Sequence, residues 1–145
     1  MSVFVDSGVF YALHDEDVSR HSSARGAMDR VFSGAFGRVL TSDYIYDETV
    51  TLTRSRFGTT GEALRAGDCI LGRDPYPDVV DLRFVDECAF ETAIETMETY
   101  SDQPLSFTDA TTVALVERHD IGRVLAFDDD FDGIVDRLPP EHIAE

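Results

Sequence analysis

Lysine is absent from this chain: all 12 basic residues are arginines, set against 29 carboxylates, for a net charge of −17. That absence removes whole classes of chemistry. A P-loop needs a lysine on its phosphates, and GxxxxGK[ST] does not occur. Schiff-base catalysis has no amine to work with. A phospho-receiver domain normally keeps a lysine beside its phosphorylated aspartate, so that reading loses its basis. Long apolar runs are also missing. None approaches the roughly 18 residues of a membrane span. The chain opens on Val3-Phe4-Val5 and then Asp6, without the basic start and longer apolar stretch of a secretory signal. The expected location is cytoplasmic. Cysteine is scarce: Cys69 and Cys88 form no CxxC pair, so two reduced, mostly buried thiols are expected. His14, His21, His119 and His142 show no HExxH spacing, and surface or cap roles suit them.

What is present suffices for one domain over residues 1–145. The length is typical of a single unit, and a hydrophobic fraction of 43% supplies a core and argues against disorder. An acidic surface without lysine fits a salt-rich cytosol, as in a halophile. Carboxylates hold water there, and a Debye length of about 3 Å at 1 M salt screens their mutual repulsion.

Val3-Phe4-Val5 reads as a strand buried on both faces. Ala24, Met28, Val31 and Phe32 recur at helical spacing within Asp17–Phe32. Gly34 and Gly37 break the chain before a second strand at Val39-Leu40-Thr41. Ser42 is placed to cap a helix from Asp43 to about Phe57, with Gly58 as its stop. Thr59 to Glu62 has capping-box spacing and opens another helix, with Leu64, Gly67 and Leu71 on one face. Val80, Leu82 and Phe84 alternate with charged residues, as in a half-buried strand. The helix from about Glu87 to Tyr100 turns Ala89, Ala93 and Met97 inward. A further helix runs from about Thr108 to His119, and Val124–Phe127 is again a short apolar strand. Leu138-Pro139-Pro140 forms a last short strand or packs on an edge. Strands alternating with helices predict an α/β fold: a mostly parallel central sheet covered on both faces.

The acids then fall at telling places. Asp6 follows the first strand and Asp128 follows the strand at Val124–Phe127, the ends beyond which open α/β sheets bind ligands. Taken singly, each can be only a cap for the next helix. Glu48 says more, because its neighbours on the helix, Tyr44, Ile45, Thr51 and Leu52, are largely apolar. A carboxylate there needs a partner, either an arginine or a cation. Asp47 can point to solvent instead. Asp109 lies in the first turn of its helix, where an aspartate often serves only the helix dipole. Together, carboxylates at element ends with no neighbouring cation suit a hard ion such as Mg²⁺ or Mn²⁺. Such ions polarise phosphoryl oxygens and activate water, so phosphodiester hydrolysis is the expected reaction.

Four stretches then carry a family resemblance: Val3-Phe4-Val5-Asp6-Ser7-Gly8, Tyr46-Asp47-Glu48-Thr49, Ser106-Phe107-Thr108-Asp109-Ala110 and Phe127-Asp128-Asp129-Asp130-Phe131. In this order they span about residues 3 to 131, and the chain resembles PIN-domain ribonucleases, most of all the toxin half of VapBC-type toxin–antitoxin pairs. The resemblance implies a three-layer α/β/α sandwich, often a homodimer, that cleaves RNA with Mg²⁺ or Mn²⁺. It assigns Asp6, Glu48, Asp109 and Asp128 to the metal cluster, with Asp130 helping or substituting for Asp128. Ser7, Ser106 and Thr108 are implied as hydroxyls that orient carboxylates or water. It also implies an antitoxin that blocks the acidic pocket, commonly with an arginine, and products with 5′-phosphate and 3′-hydroxyl ends. One position departs from the pattern. Many relatives carry a hydroxyl two residues before the fourth acid, where this chain has Ala126.

Arg54 and Arg56 are candidates for contact with phosphate or antitoxin, or complements to a helix C-terminus. Arg20 and Arg25 are equally undecided. Rival readings are weaker. Asp128, Asp130, Asp132 and Gly133 match half an EF-hand loop, but its twelfth position falls on Pro139. A haloacid-dehalogenase-like phosphatase needs a second aspartate where Gly8 stands. A PIN-like domain serving only in assembly or RNA docking is the remaining alternative, and it would be marked by loss of an acid.

Overall fold

The computed structural model describes residues 1–144. Strands β1 (Ser2–Val5), β2 (Arg38–Ser42), β3 (Val80–Arg83), β4 (Arg123–Leu125) and β5 (Arg137–Leu138) form one sheet in the order β3-β2-β1-β4-β5, every pair parallel. Between them run α1 (Ser7–His14), α2 (His21–Phe32), α3 (Asp43–Phe57), α4 (Thr60–Leu71), α5 (Glu87–Thr99) and α6 (Phe107–Arg118). The crossovers from β1 to β2 and from β2 to β3 step one way. The crossover from β3 to β4 returns past β1. Right-handed connections therefore put α1 to α4 on one face and α5 with α6 on the other, the expected three-layer sandwich. The contacts agree: α1 packs on α2, α3 and α4, and α5 on α6.

This topology positions the site. The chain leaves β1 and β4 in opposite directions, which opens a crevice beyond the carboxyl ends of those two strands. Val3, Phe4, Val5, Val124 and Leu125 beneath it are fully buried. Their continuous apolar character is what a strand covered on both faces requires. Truncating Phe4 to alanine would cost about 3–5 kcal/mol.

Local chemistry sets the helices. Ser42 Oγ accepts from the Ile45 amide at 3.1 Å and starts α3. Gly58, at φ 80°, ends it in a left-handed conformation that favours glycine. Gly67 of α4 faces the ring of Tyr46, and a Cβ there would come within 2.8 Å of it. Glycine therefore allows α3 and α4 to approach.

Several expectations are corrected. The Thr59 cap forms at 3.3 Å, but the reciprocal half of the box does not, because Glu62 is spent on His14 and Arg65. His14 is accordingly no surface residue. It is mostly buried, ties α1 to α4, and meets the Phe57 ring edge-on. Leu64 is exposed, and Ala63, Ala66 and Ile70 turn inward in its place. On α5 the buried residues are Ala89, Ala93 and Thr96, while Met97 lies partly outside. Small side chains fit there because Ala93 packs directly on Ala110 and Ala114 of α6. β3 stops at Arg83, leaving Phe84 72% exposed. β4 stops at Leu125, so Ala126 and Phe127 lead from the strand to Asp128. Of the thiols, Cys69 is buried but Cys88 is exposed. The tail contributes β5, as the first of its two readings expected.

Candidate active site

Asp6 is the first residue past β1. Its amide donates to the Leu125 carbonyl at 3.0 Å, locking it to the end of β4. It holds the N-cap position of α1 with extended φ and ψ, yet its carboxylate makes no capping bond. The side chain is 6% exposed, and Oδ1 has no hydrogen-bond partner among the described residues. Thr49 Oγ1 and Thr112 Oγ1 share that condition, but they are neutral and do not line the cavity described below. Burial, first, and then the negative charge of Asp109 push the Asp6 pKa up to about 7, against an opposing bond from the Ser7 amide and with smaller additions from Glu48 and Asp128.

Asp109 is the third residue of α6 and forms a full capping box with Ser106. Its amide donates to Ser106 Oγ at 3.0 Å, and its Oδ2 accepts from the Ser106 amide at 3.1 Å. One oxygen thus serves the helix end, and the carboxylate still borders the crevice. Burial raises its pKa most; the Ser106 bonds lower it, and the charges of Asp128 and Glu48 raise it further. Glu48 projects from α3 and accepts a short hydrogen bond from Ser7 Oγ. Asp47 beside it is exposed. Asp128 accepts from the Asp130 amide at 2.9 Å, which starts a 3-10 turn at Asp129–Phe131. That turn folds Asp130 back beside Asp128. Lost hydration and then the Asp128 charge raise the Asp130 pKa.

These side chains share one cavity of about 360 Å³. Asp6, Glu48, Asp109, Asp128 and Asp130 line it, with Ser7, Gly8, Ser106, Pro104, Phe127 and Arg20. One oxygen each from Asp109, Asp128 and Asp130 lies within 4.8 Å of the others. At that separation full negative charges repel one another. Among the described residues, none of the five carboxylates is ion-paired to an arginine. Only protons or a cation can relieve the repulsion. The donor set is all oxygen, it includes an orphaned buried carboxylate oxygen, and it is fit for a hard divalent ion.

The expected four acids are therefore brought to one crevice, and Asp130 joins the tightest group within it. Ser7 and Ser106 each bond a clustered carboxylate. Thr108 does not line the cavity, and its carbonyl accepts from Thr111 Oγ1. Arg54 and Arg56 are exposed on the last turn of α3, which lies about 10 Å along the helix from Glu48, and neither lines the cavity. Arg20, undecided from sequence, does line it. Nothing in the spacing around Arg20 signals this, because the turn before α2 sets its position. The EF-hand alternative fails structurally, since Asp132 is taken by Arg137 at 2.7 Å. A larger depression of about 560 Å³ borders β3, but Arg83 and Arg118 there are matched by Asp81 and Asp86.

Residues 3–136 match the sequence model of the PIN domain. The chain belongs to that family. It is 29% identical over 129 residues to the 23S rRNA-specific endonuclease VapC20 of Mycobacterium tuberculosis, covering 89% of this chain and 91% of that one. The crystal structure of VapC20, described as a sarcin-ricin loop cleaving toxin, superposes with a TM-score of 0.78 over 94% of this chain and 99% of that one. A toxin–antitoxin complex from Klebsiella pneumoniae, 15% identical, shares the fold at a TM-score of 0.65 over 95% of this chain and 97% of that one. No described helix is long and apolar enough to cross a membrane.

Proposed function

We infer that this PIN-domain protein is an endoribonuclease of the VapC toxin type. In this reading it cuts RNA with Mg²⁺ or Mn²⁺ held by Asp6, Glu48, Asp109, Asp128 and Asp130. The observation that carries the reading is Asp6: a buried carboxylate with an unpartnered oxygen, facing further carboxylates and no ion-paired arginine. A stable fold gains nothing from that arrangement, whereas a cation site requires it.

A bound divalent ion would supply Lewis-acid chemistry, polarising a phosphoryl oxygen and lowering the pKa of a water. The chain's own groups do the rest. Ser7 fixes the Glu48 carboxylate, Ser106 fixes Asp109, and the turn at Asp128 fixes Asp130. Glu48, Asp109 and Asp128 are thus held by neighbours before any ligand arrives, which lowers the reorganisation needed at the reacting phosphate. Ala126, fully buried beneath Asp128, offers no hydroxyl to the cluster, so Asp128 is oriented by its own turn.

RNA is the substrate class, and ribosomal RNA is the first to test, because the relative VapC20 is named for 23S rRNA. An antitoxin partner and a homodimer belong to the same reading. Arg54 and Arg56 suit an acidic partner surface better than the scissile phosphate. The decisive assay incubates the purified chain with ribosomes or RNA and Mn²⁺, beside Asp6→Asn and Asp109→Asn. Cleavage by the native chain alone, leaving 5′-phosphate and 3′-hydroxyl ends, is expected. Equal cleavage by all three, or 2′,3′-cyclic phosphate ends, would refute the reading.

A further inference from the structure

An RNA strand approaching a cluster of carboxylates in a chain of net charge −17 meets repulsion at long range. Some local cation must hold it. Among the described residues, seven of the 12 arginines are engaged in ion pairs. Arg20 is not among them, although it lines the acid cavity with Asp128 and Asp130. Its guanidinium carbon instead lies 4.8 Å from the centroid of the Phe127 ring. A guanidinium resting by its face on an aromatic ring is held in place while its N–H edge stays free. That edge matches two oxygens of one phosphate.

The position is also suited to a strand. Arg20, Phe127 and Asp128 line a second cleft, of about 530 Å³, with Asp129, Arg137 and Glu141. The stacked pair therefore stands where two clefts meet. Arg137, the other cation of that cleft, is committed to Asp132 and to the Ala126 carbonyl. We propose that Arg20, stacked on Phe127, binds an RNA phosphate adjacent to the scissile one and lays the strand across the acid cluster. Phe127 acts as a positioning residue by holding the guanidinium. The inference rests on the nuclease reading above.

The test compares the native chain with Arg20→Ala, Arg20→Lys and Phe127→Leu on a fluorescein-labelled oligoribonucleotide. It measures kcat and KM in Mn²⁺, and Mn²⁺ affinity separately by paramagnetic resonance. Arg20→Ala should raise KM about tenfold or more, the loss expected for charged hydrogen bonds. Arg20→Lys should recover only part of it, because an ammonium cannot make the paired contact. Phe127→Leu should fall between them. Mn²⁺ affinity should be unchanged or tighter in Arg20→Ala, since a nearby positive charge is removed. A KM within about twofold of native in Arg20→Ala, or Mn²⁺ affinity falling in step with cleavage, overturns the proposal. If the native chain does not cleave, the nuclease reading fails. Fluorescence anisotropy on the same oligonucleotide then decides the fate of Arg20: weaker binding by Arg20→Ala supports it, and equal binding overturns it.

Discussion

Replacing Asp6 by asparagine should make the metal-free protein more stable and leave it unable to hold an ion. The Asp6 pKa stands at about 7, against an ordinary value of 3.8. The folded state therefore binds this proton more tightly than the unfolded chain. Its stabilising contribution is full below about pH 4 and is lost as pH rises through about 7. At about 1.4 kcal/mol for each pH unit between the two values, ionising Asp6 in the fold costs about 4 kcal/mol by pH 8. Asparagine removes that charge but leaves a buried amide short of partners, which returns about 1–3 kcal/mol. A net gain of about 2 kcal/mol follows. For a chain of this size that is a rise of roughly 4–8 °C in Tm. Thermal unfolding in EDTA at pH 8 reads it directly. At pH 5 the native Asp6 is protonated, so the difference should vanish or reverse. Adding Mn²⁺ should raise the native Tm and leave that of Asp6→Asn unmoved. If Asp6→Asn is no more stable than native at pH 8, or gains equally from Mn²⁺, the claim that Asp6 is a strained cation ligand is refuted.

Mn²⁺ affinity of the native chain should strengthen as pH rises through about 7, because the ion displaces the Asp6 proton; calorimetry showing no proton release near pH 6.5 would contradict this. Ser106→Ala should cost about 1 kcal/mol of stability by loss of the α6 cap. It should also slow cleavage severalfold, with Asp109 still held by the backbone amide; urea unfolding and single-turnover kinetics separate the two effects. Cys88 should react at once with a thiol reagent, and Cys69, whose pKa burial pushes up to about 11, only on unfolding. Two fast thiols would mean that α4 does not pack as described. Raising KCl from 0.1 M to 2 M should raise Tm, since the net charge of −17 is then screened; a flat response would remove the case for a salt-rich habitat.

The layers of this fold were legible because burial on both faces leaves an unambiguous apolar run, as at Val3–Val5, and because caps such as Ser42 and stops such as Gly58 act within a few residues. Helix facing was less legible. Met97 and Leu64 are as apolar as any core residue, and only the neighbouring helix decides that α5 turns Thr96 inward in place of Met97, beside the expected Ala89 and Ala93. α1 was not delineated at all, being 8 residues long and buried on most of its surface, so it shows no polar face to set a period. The acids were legible for the opposite reason: strand ends and an apolar helix face are places where a carboxylate is unfavourable without a partner.

Pairwise spacing could not reveal which acids meet. Asp109 and Asp128 are separated by most of α6 and all of β4, and Asp130 reaches them only because the Asp128 side chain draws the chain into a tight turn. The same dependence explains Arg20. Its place in the cavity follows from the turn ahead of α2 and from the Phe127 ring, neither of which marks the sequence near it. Two kinds of residue thus build the site. The carboxylates oppose the fold and are betrayed by that opposition. The positioning groups, Ser7 and Ser106 for the carboxylates and Phe127 for Arg20, are locally unremarkable, and their role exists only in the assembled crevice. Asp6→Asn tests the first kind through stability, and Phe127→Leu tests the second through KM, so neither result can stand in for the other.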